Sequence, residues 1–389
     1  MAGALDGIRI LDLSWGIAGP LGVLLLAEQG ADVIKVEPPG GDPFRVYDGY
    51  KVWTRSRRSV TCDLKSDAGV DAFRKLAATA DVLVESFRPG VMDRLGVGYD
   101  ALHAELPRLV YCSVPAYPPG HRLAHRPGYD ALVQASSGQQ WEQPGWRPGP
   151  IFLHMPMPSM GAIFLVPSGI LAALISREGT GRGQQVSTSL LQGAFLYTTQ
   201  IWQHVEKANA AFHELMAKSY PPGVHQGMIF ECADREFVHV SVMSGLPPKK
   251  SMDEILGVEP PPAEELKGLL PLQQQVLMNA RRRDTFKEWK RDELVDELLA
   301  NNIAVEAIIT MEEALSRPHP QLDANDMVVT VDDPDLGPLI QVGVPINLFG
   351  TPGEIRGPQP RVGEHNAEIW SEVGVDGDER TEVAGDAER

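Results

Sequence analysis

Features that mark secreted, nucleic-acid-binding or metal-dependent proteins are scarce in this sequence of 389 residues. Its three cysteines, Cys62, Cys112 and Cys232, are too few and too far apart for a disulfide framework, so buried reduced thiols are expected. Acidic residues outnumber basic ones by 52 to 35, and this net charge of -17 argues against nucleic acid as a partner. A phosphorylated small molecule stays compatible, because a local cluster of arginines can act inside an acidic protein.

Membrane and export signals are also missing. No stretch approaches the roughly 20 apolar residues that a membrane-spanning helix needs. The N-terminus has no basic segment followed by a long apolar one, so no signal peptide is predicted. With 43% hydrophobic and 22% charged residues, the composition is that of an ordinary globular chain. These features predict a soluble cytoplasmic protein with no membrane partner.

The spacing of the ten histidines offers no metal site. His121 and His125 are four residues apart, but the stretch holds Pro119, Gly120 and Pro127, so the pair need not share a helix face. Zinc-ligand motifs and the G-x-S-x-G nucleophile turn are absent from the sequence. We therefore expect no metal cofactor.

Short apolar segments alternate with helical ones over the first 115 residues. Helices are predicted at 20–28, with Gly30 as the C-terminal glycine, at 67–80 and at 91–95. The strand-like segments between them are IRILDL (8–13), ADVIKVE (31–37), SVTCDL (59–64), DVLVES (81–86) and LVYCSV (109–114). This alternation predicts an α/β fold with a largely parallel sheet covered on both faces.

The pattern of predicted helices and strands changes beyond residue 220. Long helices are predicted at 160–177 and 187–217, followed by two strands at 228–231 and 237–242 and helical sequence to about 316. Strands return in MVVTVDD and LIQVGVP after Pro318. We predict a large domain from 1–220 and 326–374, a smaller domain at 221–325, and a frayed acidic tail at 375–389.

Three segments near predicted strands could hold a ligand. They are the glycine loop 38–42, the arginine cluster 54–59, and the turn 85–90 with Arg94 one turn into the next helix. Each has a plain alternative, namely a turn after a strand, a solvated basic turn, or a strand-to-helix turn. Taken together, the three segments favour a nucleotide-type ligand.

The sequence as a whole resembles the class III CoA-transferases, also called the CaiB/BaiF family. The resemblance rests on motifs in the family's order that extend to about Gly374. They include LDGIRILDLSWGIAGPLGVLLLAEQGADVIKVEPPGGDP, ADVLVESFRPGVMDRLGVGYDAL, RPGYDALVQASSG, GILAALISREGTGRGQQV and PRVGEHN.

The resemblance implies an interlocked dimer of homologous chains. Each chain would have a large Rossmann-like domain built from both chain ends and a smaller α+β domain. The substrates would be an acyl-CoA and a carboxylic acid. The CoA-binding positions implied are Ile17, Ala18, Arg57, Arg58, Leu64, Lys65, Ser86, Phe87, Arg88, Arg94, Arg126 and Tyr129.

The sequence departs from the family at the nucleophile. Family transferases carry an aspartate ahead of the helix that ends in GRGQ, and the corresponding position here is Ser159. No Asp or Glu lies between Trp146 and Arg177, and Asp130 is the nearest acid within the matched motifs, where an acid assists the reaction. The racemase branch has a histidine at the position of Tyr129 and an aspartate at that of Ser159, so racemisation is disfavoured.

Three functions follow as alternatives. The first is the aspartate-lacking subunit of a heteromeric CoA-transferase. The second is a CoA-thioester lyase, hydrolase or isomerase that uses Ser159, His154 or Tyr129 without an anhydride. The third is a non-catalytic acyl-CoA-binding protein. His154 lies five residues before Ser159 and could pair with it, although a loop histidine satisfied by the backbone is the simpler interpretation.

Overall fold

The computed structural model describes residues 3–142, 150–198, 228–241, 246–269, 271–315, 320–375 and 382–384. It divides into two compact units. The large unit comprises Met1–Gln140, Phe152–Trp202 and Pro320–Arg389, and the small unit comprises Trp141–Ile151 and Gln203–His319. The division thus falls after Trp202 and His319, whereas the sequence suggested boundaries after residues 220 and 325.

Eleven strands lie in the described part of the chain, six of them in one parallel sheet of the large unit. The order across this sheet is β3-β2-β1-β4-β5-β6, which confirms the predicted α/β class. The strands are β1 Arg9–Asp12, β2 Asp32–Glu37, β3 Arg58–Thr61, β4 Val82–Glu85, β5 Val110–Ser113, β6 Gln185–Ser187, β7 Ile229–Glu231, β8 Phe237–Val240, β9 Val305–Ile308, β10 Val328–Asp333 and β11 Gly337–Val342.

The helices of the first half connect these strands as the alternation predicts. They are α1 Ala18–Ala27, α2 Tyr50–Trp53, α3 Asp67–Ala77, α4 Val91–Arg94, α5 Tyr99–Glu105, α6 Asp130–Ser136, α7 Gln139–Glu142, α8 Met157–Thr180 and α9 Leu190–Thr198. The remaining described helices are α10 Met252–Leu256, α11 Ala263–Leu266, α12 Pro271–Phe286, α13 Arg291–Ala300, α14 Met311–Leu315, α15 Pro320–Ala324 and α16 Asn366–Glu372. The predicted helix at 187–217 is described only at Leu190–Thr198, and the rest lies outside the described residues.

The parallel sheet separates two hydrophobic cores. Because successive side chains of a strand point to opposite faces, Leu11 and Ile34 join one core while Ile10 and Val33 join the other. Helix α3 buries Phe73 in the first core, and Ser66 caps its N-terminus by accepting a hydrogen bond from the Gly69 N–H. Strong two-sided burial explains why the first five strands were readable from sequence.

Strand β6 was missed by the sequence prediction, which began a helix at Ser187. Its residues Gln185–Ser187 are not a buried apolar run, since the strand lies at the sheet edge and is partly exposed. Pairing with β5 therefore decides its conformation, with Cys112 opposite Val186.

Helix α8 corrects the expectation that no stretch is long and apolar enough to cross a membrane. By length and composition its 24 residues would suffice. Half of its apolar window is buried, and Ile163, Val166 and Ile170 are core residues. The core helix of a globular protein passes the same test, so this single helix carries no membrane assignment.

The small unit contains an antiparallel sheet of order β7-β8-β9. Its core includes Phe230 and Phe286, whose rings stack with centroids 3.9 Å apart. Strand β9 was predicted as helix, which was wrong because pairing of Val305 with Val240 overrides the local preference of an Ala- and Glu-containing segment.

The C-terminal tail is anchored at one point. Val383 is completely buried in the core that also contains Trp370, and its carbonyl accepts the Asp63 N–H at 2.8 Å. The expectation of a frayed tail was therefore wrong for residues 382–384, because an apolar side chain there has a core to enter. Residues 376–381 and 385–389 lie outside the described residues.

Candidate active site

A cleft of about 1410 Å³ opens at the carboxyl ends of the parallel strands of the large unit. The carboxyl ends of neighbouring parallel strands meet at one edge of a sheet, so the loops that follow them share this cleft. Its wall includes residues that end or follow β1, β2, β3, β4 and β5, such as Leu13, Pro38, Leu64, Ser86 and Val114.

One wall of the cleft is the turn from β1 into α1. The Trp15 N–H donates to Ser86 Oγ at 2.7 Å, and the Trp15 and Phe87 rings meet edge to face with centroids 5.2 Å apart. Ile17 and Ala18 continue this wall into the first turn of α1. The wall therefore combines aromatic surface with the N-terminal end of a buried helix.

Eight of the predicted CoA-binding residues line the cleft, and two of them are cationic. Lys65 follows β3, while Arg88 follows β4 and donates to the His125 carbonyl at 3.1 Å. The eight residues are Ile17, Ala18, Leu64, Lys65, Ser86, Phe87, Arg88 and Tyr129. Their roles in binding stay predictions.

The structure does not bring Arg57 to the cleft wall. Its side chain is buried, and its Nη1 donates to Asp12 Oδ2 at 2.5 Å. Its Nη2 donates to the carbonyls of Pro20 and Trp53 at 3.0 and 2.8 Å. The Arg57 guanidinium group therefore makes its hydrogen bonds to groups inside the protein.

Three further predicted arginines also lie outside the cleft wall. Arg58 pairs with Asp32 at 2.7 Å and with Glu368 at 2.5 Å, where the amino end of β2 meets α16. Arg94 and Arg126 are exposed and are not part of the cleft lining.

Sequence reasoning missed a buried charge network beneath the glycine loop 38–42. Lys35 Nζ lies 3.2 Å from Asp42 Oδ2 and also donates to the Ser14 carbonyl. Tyr50 donates its hydroxyl proton to Asp42, and burial with this neighbouring carboxylate raises the Tyr50 pKa. No spacing rule signals such a network, because its members come from a strand, two loops and a helix that only the fold brings together.

Ser159 and Asp130 form a hydrogen-bonded polar pair in the lining of the cleft. Ser159 lies in the first turn of α8 and is 2% exposed. Its N–H donates to Asp130 Oδ1 and its Oγ to Asp130 Oδ2, both at 2.7 Å. Burial raises the pKa of Asp130, and the two hydrogen bonds from Ser159 partly offset this by favouring the carboxylate.

The two predicted partners of Ser159, Tyr129 and His154, lie in different surroundings. Tyr129 lines the cleft beside Asp130 and is 61% exposed. His154 is exposed, and its ring stands edge-on to Phe152 with centroids 6.4 Å apart. The interpretation of His154 as a base for Ser159 is therefore not supported, because the structure pairs Ser159 with Asp130 and His154 does not line the cleft.

Within the described ranges, no group of three or more His, Cys, Asp or Glu side chains could hold a metal ion.

Comparison with known proteins identifies the family. A family model described as CoA-transferase family III matches residues 5–366. This chain belongs to CoA-transferase family III. It is 32% identical to the formyl-CoA:oxalate CoA-transferase of Streptomyces coelicolor over 97% of both chains. It is 30% identical to the succinyl-CoA:mesaconate CoA-transferase of Haloarcula hispanica over 96% of this chain and 97% of the relative.

Solved structures share the fold of this chain. The crystal structure of Rv3272 from M. tuberculosis matches with a TM-score of 0.76 and 26% identity over 95% of this chain and 99% of that one. A CaiB/BaiF family protein from Brucella suis matches with a TM-score of 0.78 at 24% identity over 96% and 100%, which shows the shared fold. The family and the α/β fold implied by the sequence motifs are confirmed, while the interlocked dimer stays a prediction.

Proposed function

We propose that this family III chain moves CoA between carboxylic acids and that the CoA thioester lies in the cleft at the strand ends. The observation that carries the proposal is the cleft itself, which gathers eight of the residues expected to bind CoA. Full-length relatives named as CoA-transferases for oxalate and mesaconate support the reaction class. Cytoplasmic localisation is retained as part of this proposal.

The cleft suits the parts of a CoA molecule. Lys65 and Arg88 would attract the phosphates, and the N-terminal end of α1 adds a positive partial charge. The Trp15–Phe87 pair offers aromatic surface to the adenine or the pantetheine arm. In this arrangement the thioester would lie near Asp130 and Ser159, which line the same cleft.

Ser159 stands where the family resemblance expects the aspartate nucleophile. A serine that accepts an acyl group forms an ester, which is far less reactive toward a returning CoA thiolate than an anhydride is. We therefore propose that this chain works as one subunit of a heteromeric transferase, and that its homologous partner carries the aspartate.

Exposed apolar side chains on α8 are consistent with a partner chain. Phe164 is 61% exposed and Ile175 is 74% exposed. Because they are about three helical turns apart, they lie on the same face of α8. A homologous chain that covered this face would remove both side chains from water.

The hydrogen bond between Ser159 and Asp130 favours one second candidate, hydrolysis of a CoA thioester. Asp130 would take the Ser159 hydroxyl proton while Oγ attacks the acyl carbon. The carbon–sulfur bond would break, CoA would leave as the thiol with the proton from Asp130, and water would then cleave the serine ester to release the acid.

Native mass spectrometry of the protein isolated from its own source tests the heteromeric proposal. We expect a second, homologous chain with an aspartate at the position of Ser159 to co-purify in a fixed ratio. The pair should then transfer CoA between acids, whereas this chain alone should not complete the exchange. A homodimer with full exchange activity, or one that only hydrolyses acyl-CoA, would contradict the proposal.

A further inference from the structure

The cleft of this chain contains a carboxylate although residue 159 does not supply one. Asp130, the first residue of α6, lines the cleft next to Ser159 of α8. Its Oδ2 is 2.7 Å from Ser159 Oγ, and its Oδ1 is 2.7 Å from the Ser159 nitrogen. A carboxylate from another helix therefore lies within hydrogen-bond distance of the side chain at the expected nucleophile position.

We propose that Asp130 is the group in this chain that captures the acyl moiety of a bound CoA thioester. The inference rests on the proposed CoA-transferase function and adds a reactive residue to it. In a heteromeric transferase, this cleft would then react covalently in its own right, in addition to the aspartate-bearing cleft of the partner.

The capture step is the attack of one carboxylate oxygen of Asp130 on the thioester carbonyl carbon. A carbon–oxygen bond forms, the carbon–sulfur bond breaks, and CoA leaves as the thiolate. The products are a mixed anhydride on Asp130 and free CoA, so atoms and charge balance without an oxidant or a metal.

Burial and hydrogen bonding give this carboxylate a suitable environment. A carboxylate that has lost part of its hydration is more reactive toward an electrophile than one in bulk water. The two hydrogen bonds from Ser159 hold the group in one orientation, and the Asp130 N–H also donates to it, so that one of about four lone-pair sites of the carboxylate stays open. Ser159 is thus a positioning residue in this inference.

A purely structural role for Asp130 is the competing explanation. Its Oδ1 accepts an N–H from the first turn of α8 and so caps that helix. Asparagine at position 130 can accept the same N–H through its amide oxygen. The variant Asp130→Asn therefore preserves the cap and removes the nucleophile.

The test uses the isolated full-length chain with acetyl-CoA, succinyl-CoA and benzoyl-CoA as probes. Calorimetry first establishes which probes bind. Each bound probe is then incubated with the protein in the presence of hydroxylamine or, separately, sodium borohydride, which trap activated carboxyl groups as the hydroxamate or the alcohol. Intact-mass measurement and peptide mapping locate the modification.

We expect trapped product on Asp130 in the wild type and in the control Asp100→Asn, whose exposed aspartate lies in α5. Ser159→Ala should still give this product but in smaller amount, because only the backbone hydrogen bond then orients the carboxylate. Asp130→Asn should bind CoA with unchanged affinity and show at least a hundredfold less product. Binding without modification of Asp130, or an acyl ester on Ser159, would overturn the inference and leave the CoA-transferase proposal intact. Failure of all three thioesters to bind would instead contradict the proposed function.

Discussion

Two arginine-bearing segments of the large unit place their arginines in different environments, although both are candidate phosphate-binding motifs in the sequence. In the cluster 54–59, Arg57 is buried against Asp12 and Arg58 pairs with Asp32. In the turn 85–90, Arg88 is exposed at the cleft. The arginine-rich cluster therefore stabilises the fold, and the turn with a single arginine faces the candidate ligand site.

The difference comes from where each segment stands relative to its strand. The turn with Arg88 follows β4, and residues that follow parallel strands line the cleft. Arg58 is the first residue of β3, and its guanidinium pairs with the first residue of β2. The arginines at the amino end of β3 are thus poor support for a ligand site in this protein, although three of them stand close together.

Arg57→Ala should cause the largest effect. It would leave the Asp12 carboxylate buried without its main partner, so we expect the free energy of unfolding to fall by about 3–5 kcal/mol. Urea denaturation measures the loss. Arg122→Ala, at an exposed arginine, should change stability by less than about 0.5 kcal/mol. If Arg57→Ala kept its stability but lost CoA affinity, the segment 54–59 would bind the ligand and would not serve mainly to stabilise the fold.

Glu85→Gln should change how stability depends on pH. Burial at the end of β4 raises the pKa of Glu85 from 4.5 to about 7. The protonated form is thus favoured by folding, and its contribution is present at pH 4.5 and below and disappears as pH rises through 7. We expect the wild type to lose up to about 3 kcal/mol over this range and the variant to lose much less.

Denaturant unfolding at several pH values between 5 and 8 measures the Glu85 effect. The glutamine oxygen can still accept the Phe87 N–H that Glu85 Oε2 accepts at 2.7 Å, so the turn should persist. Equal slopes of unfolding free energy against pH in the two proteins would contradict this prediction. They would show that folding does not favour the protonated form of Glu85.

Arg88→Ala tests the ligand-facing segment. We expect about tenfold weaker CoA binding, the effect of losing roughly 1.4 kcal/mol of interaction with a phosphate, and stability within about 0.5 kcal/mol of the wild type. Calorimetry at low and high salt is the measurement, and Lys65→Ala should behave similarly. If Arg88→Ala lowered the stability but left the CoA affinity unchanged, Arg88 would have a structural role like that of Arg57, and the contrast between the two segments would be wrong.

Arg58→Ala should have the smallest effect. Its ion pairs with Asp32, Glu368 and Glu372 are partly exposed, so we expect a loss of about 1 kcal/mol that salt reduces further. Unfolding in low and in 1 M salt would measure the difference, with 1 M chosen because the screening length there is only about 3 Å. A loss as large as that of Arg57→Ala would contradict the contrast between an exposed and a buried ion pair.

Much of the large unit was predictable because its local patterns agree with its final environment. Strands β1 to β5 are largely buried, four of them contain apolar runs, and a helix start such as Ser66 before Asp67 is a local signal. Strand β9 and the anchored Val383 were not predictable, because each depends on a partner distant in sequence.

Some features of the candidate site were likewise predictable from the sequence, and others were not. Lys65, Phe87 and Arg88 line one cleft, since the residues that follow parallel strands converge. The strand pattern indicated the turn with Phe87 and Arg88, whereas Lys65 came from the family resemblance, and their binding roles stay predictions. The contact between Asp130 and Ser159 joins residues 29 positions apart, and no spacing rule indicates that both oxygens of Asp130 accept hydrogen bonds from Ser159.

The sequence alone determined the family, the parallel α/β sheet and the absence of an acid at residue 159, because each is written in contiguous residues and their order. The tertiary structure alone decided which arginines are buried, which carboxylate lies beside Ser159, and where Val383 is anchored. These outcomes depend on the burial and pairing of charges from separate elements. The free energy of a charged side chain is set by the groups around it in space rather than by its neighbours along the chain.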